Sequence, residues 1–149
     1  MSRRLPYLTI SPDGIRALGR LSAYVDGCGL ERALIHLVEL RVSQINGCAY
    51  CVDLHSREAR EHGETERRLH NVIVWREAPF FTARERAALG WAEAVTLVSE
   101  TGAPDADYEA ARAQFSDKEL VDLTFTIANM NAWNRMAISF RHLPDASGD

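Results

Sequence analysis

The chain has no stretch of about 18 uninterrupted apolar residues, so no segment is expected to span a bilayer. Basic charge is also in short supply. Lys and Arg total 17 against 21 Asp and Glu, a formal net charge of −4 that offers no footprint for nucleic acid or an anionic membrane surface. Cysteine is scarce and odd in number, at 3 in 149 residues. A disulfide framework is therefore excluded as the basis of stability, and a reducing cytoplasm is the expected setting. The opening Met-Ser-Arg-Arg-Leu-Pro has basic residues but no apolar region behind them, and does not read as a secretory signal. No internal repeat, low-complexity tract or long linker interrupts the sequence. The length suits one ordinary domain, spanning 1–149, that buries its own core.

What is present is helical periodicity. After an extended lead, in which Ser11-Pro-Asp-Gly14 reads as a turn, residues 15–26 form a first expected helix. Residues 30–45 form a second, with Leu34, Val38, Val42 and Ile45 at steps of three and four. Gly47 ends it. A third runs over 48–62 and stops at Gly63, a residue suited to the left-handed position after a helix. Residues 65–76 give a fourth. Thr82-Ala-Arg-Glu85 and Ser116-Asp-Lys-Glu119 match the capping-box pattern and start helices over 83–99 and 117–141, with a short helix near 106–114 between them. The 83–99 helix is apolar on more than one face, which calls for burial on both sides, one of them by a subunit contact. Nothing reads as a strand. The expectation is an all-α fold of about six or seven helices.

The chemistry concentrates at Cys48-Ala49-Tyr50-Cys51, with His55 four residues on. On a helix, at about 100° per residue, Cys48, Cys51 and His55 fall within an arc of roughly 60°. The Asn46-Gly47 turn puts both thiols in the first turn of a new helix, where free N–H groups and the dipole favour thiolate. Four readings compete. One is a dithiol redox site with His55 as proton acceptor for Cys51. Another is zinc held by Cys48, Cys51, His55 and either Cys28 or His36, as in a zinc-stabilised binding module; three ligands on one short helix would be unusual for it, and no second Cys-x-x-Cys or His-x-x-x-His pair exists. Haem attachment requires Cys-x-x-Cys-His and fails, because Val52 follows Cys51. The fourth is a purely structural role, since buried cysteine is common.

Other residues are less distinctive. Cys28 has no sequence partner and reads as a core thiol. His36 and Glu39 lie on the second helix and face the thiols only if helices two and three pair antiparallel, as the short Asn46-Gly47 connection suggests. His62, His70 and His142 read as surface or helix-end residues, and Tyr50 as packing. Trp133 falls on the apolar stripe of the last helix. Asn131, Asn134 and Arg135 suit either a subunit boundary or a solvated face.

The run from Glu39 to His55, with Ser43-Gln-Ile-Asn-Gly-Cys48-x-x-Cys51-x-x-x-His55 at its centre, closely resembles the core of the alkyl hydroperoxidase D (AhpD)-like proteins of the carboxymuconolactone decarboxylase superfamily. The resemblance continues through Trp75-Arg-Glu77, Glu85 to Glu93 and Asn131-Ala-Trp-Asn-Arg135; its core spans about 15–100. The decarboxylase branch proper lacks the paired cysteines, so the likeness is to the peroxidase side. It implies an all-α, oligomeric protein, as trimers or as hexamers built from dimers, that reduces organic hydroperoxides without metal, haem or flavin. It implies Cys51 as the peroxidatic residue, Cys48 as the resolving one and His55 as a proton relay. The reductant implied is an external dithiol, of lipoyl type in one branch. Where the family carries a relay glutamate twelve residues before the first cysteine, this chain has His36, so the relay falls to His36 or to Glu39. A general dithiol–disulfide oxidoreductase or redox sensor is the neighbouring alternative.

Overall fold

The computed structural model describes residues 2–145. Among them are nine α-helices and no strand: α1 (Tyr7–Ile10), α2 (Pro12–Gly27), α3 (Arg32–Asn46), α4 (Ala49–Glu61), α5 (Glu66–Asn71), α6 (Ala83–Thr96), α7 (Val98–Thr101), α8 (Asp105–Arg112) and α9 (Asp117–Phe140). A 3₁₀ turn, Val72–Val74, follows α5.

Three differences from the sequence reading have local causes. Residues 11–14 are not a turn. Pro12 opens α2, a first-turn position where its missing N–H costs nothing, and Tyr7–Ile10 adds a single turn before it. The 65–76 helix stops at Asn71, and Val72-Ile73-Val74, all β-branched, continue as 3₁₀. The 83–99 helix breaks at Leu97, leaving α7 as a separate turn closed by left-handed Gly102. Both expected capping boxes form, with Thr82 and Glu85 exchanging side-chain-to-backbone bonds, and Ser116 and Glu119 doing the same.

Helix α3 packs against α4, α6 and α9 at once. Its burial is not confined to the Leu34–Val38–Val42 stripe. Leu34, Ile35, Val38 and Val42 join one apolar cluster with Leu123, Ile127 and Met130 of α9. Leu37 and Leu40, on the opposite side, join Ala59, Leu69, Val72, Trp75 and Phe81 in a second. Each large side chain so buried contributes roughly 1.5–3 kcal/mol by leaving water. Helix α6 serves both clusters, Ala88, Trp91 and Ala92 in one and Leu89 in the other, so its two apolar faces are covered within the chain. No helix among the described residues is long and apolar enough to cross a membrane.

The junction between α3 and α4 sets the position of the cysteines. Gly47 takes a left-handed conformation (φ 71°, ψ 33°), strained for any residue with a Cβ. Its N–H reaches Gln44 O, and that of Cys48 reaches Ser43 O at 3.0 Å, closing α3. Cys48 then serves as N-cap of α4. Two successive residues, Gly47 and Cys48, thus end one helix and begin the next.

Candidate active site

Cys48 and Cys51 are bonded as a disulfide, with Cα atoms 5.3 Å apart. Both are buried. The Cys48 sulfur accepts the Cys51 backbone N–H at 3.3 Å, so it occupies the place that a Ser or Asp oxygen takes in an ordinary N-cap. Cys51 lines a cleft of about 360 Å³, and Cys48 does not. The two sulfurs are therefore inequivalent: one meets whatever enters the cleft, and the other sits on the helix N-terminus.

His55, one turn beyond Cys51 and also on the cleft wall, is buried. Its Nδ1 lies 2.9 Å from Glu58 Oε2 and 3.3 Å from Glu39 Oε2. Glu58 is held below the usual carboxylate range, first by the hydrogen bond from His55, then by the charges of His55, His36 and Arg32. Glu39 is within reach because α3 and α4 pack against one another as the short connection suggests, and α3 directs this carboxylate at His55.

His36 stands apart in kind. It is 1 % exposed, and its Nδ1 lies 3.4 Å from Glu39 Oε2 and 4.0 Å from Glu58 Oε2. Neither ring nitrogen makes a hydrogen bond. The ring rests 4.8 Å, centroid to centroid, from that of His62. The structure thus gathers all five sequence candidates, Cys48, Cys51, His55, His36 and Glu39, around the α3–α4 seam, with Glu39 rather than His36 in contact with His55. Glu58 was missed. The signal was available, since Cys51, His55 and Glu58 follow at steps of four and three on one helical face.

The rest of the cleft is mostly apolar and aromatic. Leu54, Met130, Trp133 and Ala137 line it, with Tyr7, Tyr50 and His142. Tyr50 packs edge-on to His142, ring centroids 4.2 Å apart, so its packing role is at the cleft wall. His142 is more than a helix-end residue. It follows the left-handed Arg141 that terminates α9 and folds back over the cleft. Burial, together with the charge of Arg3, pulls its pKa down. Trp133 also faces the cleft and donates from Nε1 to Ser22 Oγ at 2.9 Å. Cys28 is free, partly exposed and at the end of α2. His62 and His70 are exposed, as expected.

The Asn131–Arg135 segment turns inward. Asn46 Nδ2 donates to Asn131 Oδ1 (3.0 Å) and Asn134 Oδ1 (2.8 Å), and Asn134 Nδ2 donates to Ser43 Oγ (3.2 Å). Ser43 Oγ in turn donates to Glu39 O. These bonds tie α9 to the end of α3 within the chain, where neither a subunit boundary nor a solvated face is needed to explain them; Arg135 bonds back to Asn131. Glu93 likewise gathers Trp75 Nε1 (2.8 Å), Arg41 and Arg76, which accounts for the second and third stretches of the family likeness.

Known proteins resemble this chain in sequence and fold. A solved structure from Agrobacterium tumefaciens, a protein of unknown function considered a candidate antioxidant-defence protein AhpD, is 48% identical and superposes with a TM-score of 0.94 over 97% of this chain and 99% of its own. The uncharacterized protein YdfG of Bacillus subtilis (strain 168) is 37% identical over 139 residues, 93% of this chain and 95% of its own. The alkyl hydroperoxide reductase AhpD of Hyphomonas neptunium is 42% identical over 45 residues, 30% of this chain and 25% of its own. The model of the carboxymuconolactone decarboxylase family matches residues 12–94, which run from the start of α2, through the cysteine pair and the His55–Glu39 contact, into α6. With that match over more than half its length, an all-helical fold of AhpD type and a cysteine pair at the helix junction, this chain belongs to the carboxymuconolactone decarboxylase family.

Proposed function

We propose that this protein is a thiol-dependent peroxidase that reduces organic hydroperoxides through Cys51 and Cys48. The observation that carries the reading is the inequivalence of the two sulfurs. Cys51 borders the cleft beside His55, whereas Cys48 is seated on the N-terminus of α4.

In the reduced protein, His55 takes the Cys51 proton, with Glu39 and Glu58 orienting and stabilising the imidazolium. The Cys51 thiolate attacks the terminal oxygen of ROOH. The O–O bond breaks, RO⁻ takes up a proton and leaves as ROH, and Cys51 becomes a sulfenic acid. Cys48 then attacks the Cys51 sulfur. The S–O bond breaks, hydroxide leaves as water with a proton from the relay, and the Cys48–Cys51 disulfide forms. An external dithiol restores the pair by exchange at Cys51. Cys48 departs as a thiolate that the Cys51 N–H already faces.

The apolar and aromatic lining favours a peroxide with a hydrocarbon body over hydrogen peroxide. Burial of Cys51 at the cleft suits a small substrate and a slender, lipoyl-like reductant, and disfavours a protein disulfide as the physiological substrate. Zinc held by the cysteines is disfavoured because their sulfurs are bonded to each other.

Cys51→Ser tests the reading. The variant is expected to keep its helical circular dichroism and to lose all cumene hydroperoxide consumption in a dithiol-coupled assay. Consumption at the wild-type rate would contradict it.

A further inference from the structure

Beside the thiols lies a group of side chains that peroxide reduction does not require in full. Helix α3 supplies His36 and Glu39, and α4 supplies His55 and Glu58. Each pair is a His-x-x-Glu, spaced i, i+3, so each helix presents both donors on one face. The two faces meet. One donor atom from each residue lies within 4.8 Å of every other. Contacts between imidazole Nδ1 and carboxylate Oε2 atoms measure 2.9, 3.3, 3.4 and 4.0 Å. Donors around a tetrahedral ion with bonds of 2.0–2.1 Å stand about 3.3 Å apart, which these contacts bracket. Paired i, i+3 carboxylate–histidine motifs on facing helices are a known way for a helical bundle to hold metal.

The second observation is His36. A hydrogen-bonded proton relay needs His55 and a carboxylate, and leaves His36 without a task. Yet His36 is 1 % exposed, with both nitrogens unbonded and Nδ1 directed at the two carboxylates. An imidazole buried with no partner is costly, and a cation between it and the carboxylates removes that cost.

We propose that His36, Glu39, His55 and Glu58 form a binding site for one divalent first-row cation of tetrahedral preference, zinc above all. The site uses no cysteine, so it is open when Cys48 and Cys51 are disulfide-bonded. Two imidazoles and two carboxylates suit zinc among the abundant divalent ions, whereas calcium and magnesium prefer sites of oxygen alone. One consequence rests on the peroxidase reading. Metal on His55 Nδ1 displaces the contacts with Glu39 and Glu58, so the loaded site and the proton relay exclude each other, and zinc slows peroxide turnover.

The test is binding, measured without peroxide. Tag-free protein, oxidised so that Cys48 and Cys51 are bonded and with Cys28→Ser to remove the free thiol, is dialysed against Zn²⁺ and analysed for bound metal, then titrated with Co²⁺ by visible absorption. One Zn²⁺ per chain is expected, with the d–d bands of tetrahedral Co²⁺ and no thiolate charge-transfer band. His36→Gln and Glu58→Gln should each weaken binding by at least the roughly 10–100-fold that loss of a supporting group costs. Glu58 is partly exposed, so its variant should fold even if His36→Gln does not. His70→Ala, at an exposed histidine outside the group, should bind as the parent does. Uptake well below one ion per chain, or uptake that Glu58→Gln leaves undiminished, would overturn the site. Neither result bears on peroxide reduction, which Cys51→Ser tests separately.

Discussion

The two cysteines of one motif differ because the three-residue step between them carries the chain from a helix cap into the first turn. Cys48 sits outside the first turn and takes an orphan N–H; Cys51 lies inside it and meets the cleft. The same step rule decides which acid serves His55. Glu39 is one turn along α3 from His36, and that turn brings its carboxylate to 3.3 Å from His55 Nδ1. If Glu39 orients the relay imidazole, Glu39→Gln should lower kcat/KM for cumene hydroperoxide by about 10²-fold, the lower range of general-base effects. His36→Gln should cost much less in the metal-free protein. Stopped-flow measurement of both variants checks this, and equal losses would contradict the assignment. The Cys48–Cys51–His55 face was legible in the sequence because it lies on one helix. Glu58 shares that face at a readable spacing from His55, but most helical glutamates are solvated, so the spacing alone did not single it out. His142 and Tyr7 were unreadable as cleft residues for another reason, since segments far apart in sequence bring them together at the cleft beside Tyr50.

The elements show where local chemistry suffices. The capping boxes at Thr82 and Ser116 and the glycine at position 47 satisfy backbone groups with near neighbours in sequence, and all were legible. Pro12 was misread because proline in a first turn and proline in a loop look alike without the partner helix. Glu119 shows what a cap contributes. Its bond from the Ser116 backbone, with Arg84 beside it, lowers its pKa to about 2. A depressed carboxylate stabilises the fold above its unfolded pKa, and that stability fades as pH falls from about 4.5 through about 2. Glu119→Gln keeps an oxygen for the Ser116 N–H but loses the charge and the pairing with Arg84, and should therefore lower stability by up to about 1 kcal/mol at pH 7, since the side chain is partly exposed and screened. The gap from the parent should close as pH drops toward 2. Urea titrations at a series of pH values check it, and a gap that widens in acid would contradict it. The Asn131–Asn134 bonds to Asn46 and Ser43 make a different point. Their partners are some 85–91 residues distant, so no local pattern revealed them. Asn134 is fully buried, and Asn134→Ala should cost about 1–3 kcal/mol by removing its bonds to Asn46 and Ser43 and leaving a buried gap, read as a lower thermal midpoint. An unchanged midpoint would show that the tie does not hold the cysteine junction.

Across the whole molecule, α3 explains how so small a protein fixes the position of its cysteine pair. It is buried on opposite sides by two clusters, and both ends of its work, the Glu39–His55 contact and the Gly47–Cys48 junction, belong to it. The all-helical class was legible from period alone. That α3 lies between two cores was not, because its central residues are apolar nearly all round and a stripe can be drawn on either side. The family likeness covered the motif, and the fold accounts for the distant stretches as hydrogen-bond partners of Glu93 and Asn46. The proposed reaction is consumption of an alkyl hydroperoxide by the Cys48–Cys51 pair. Fully reduced protein mixed with one equivalent of cumene hydroperoxide, with thiols counted and peptides mapped by mass spectrometry, tests it most directly. Loss of two of the three thiols and of about two hydrogens in mass is expected, located in one Cys48–Cys51 peptide, with Cys28 still free. Three thiols remaining, or oxidation at Cys28 alone, would contradict it.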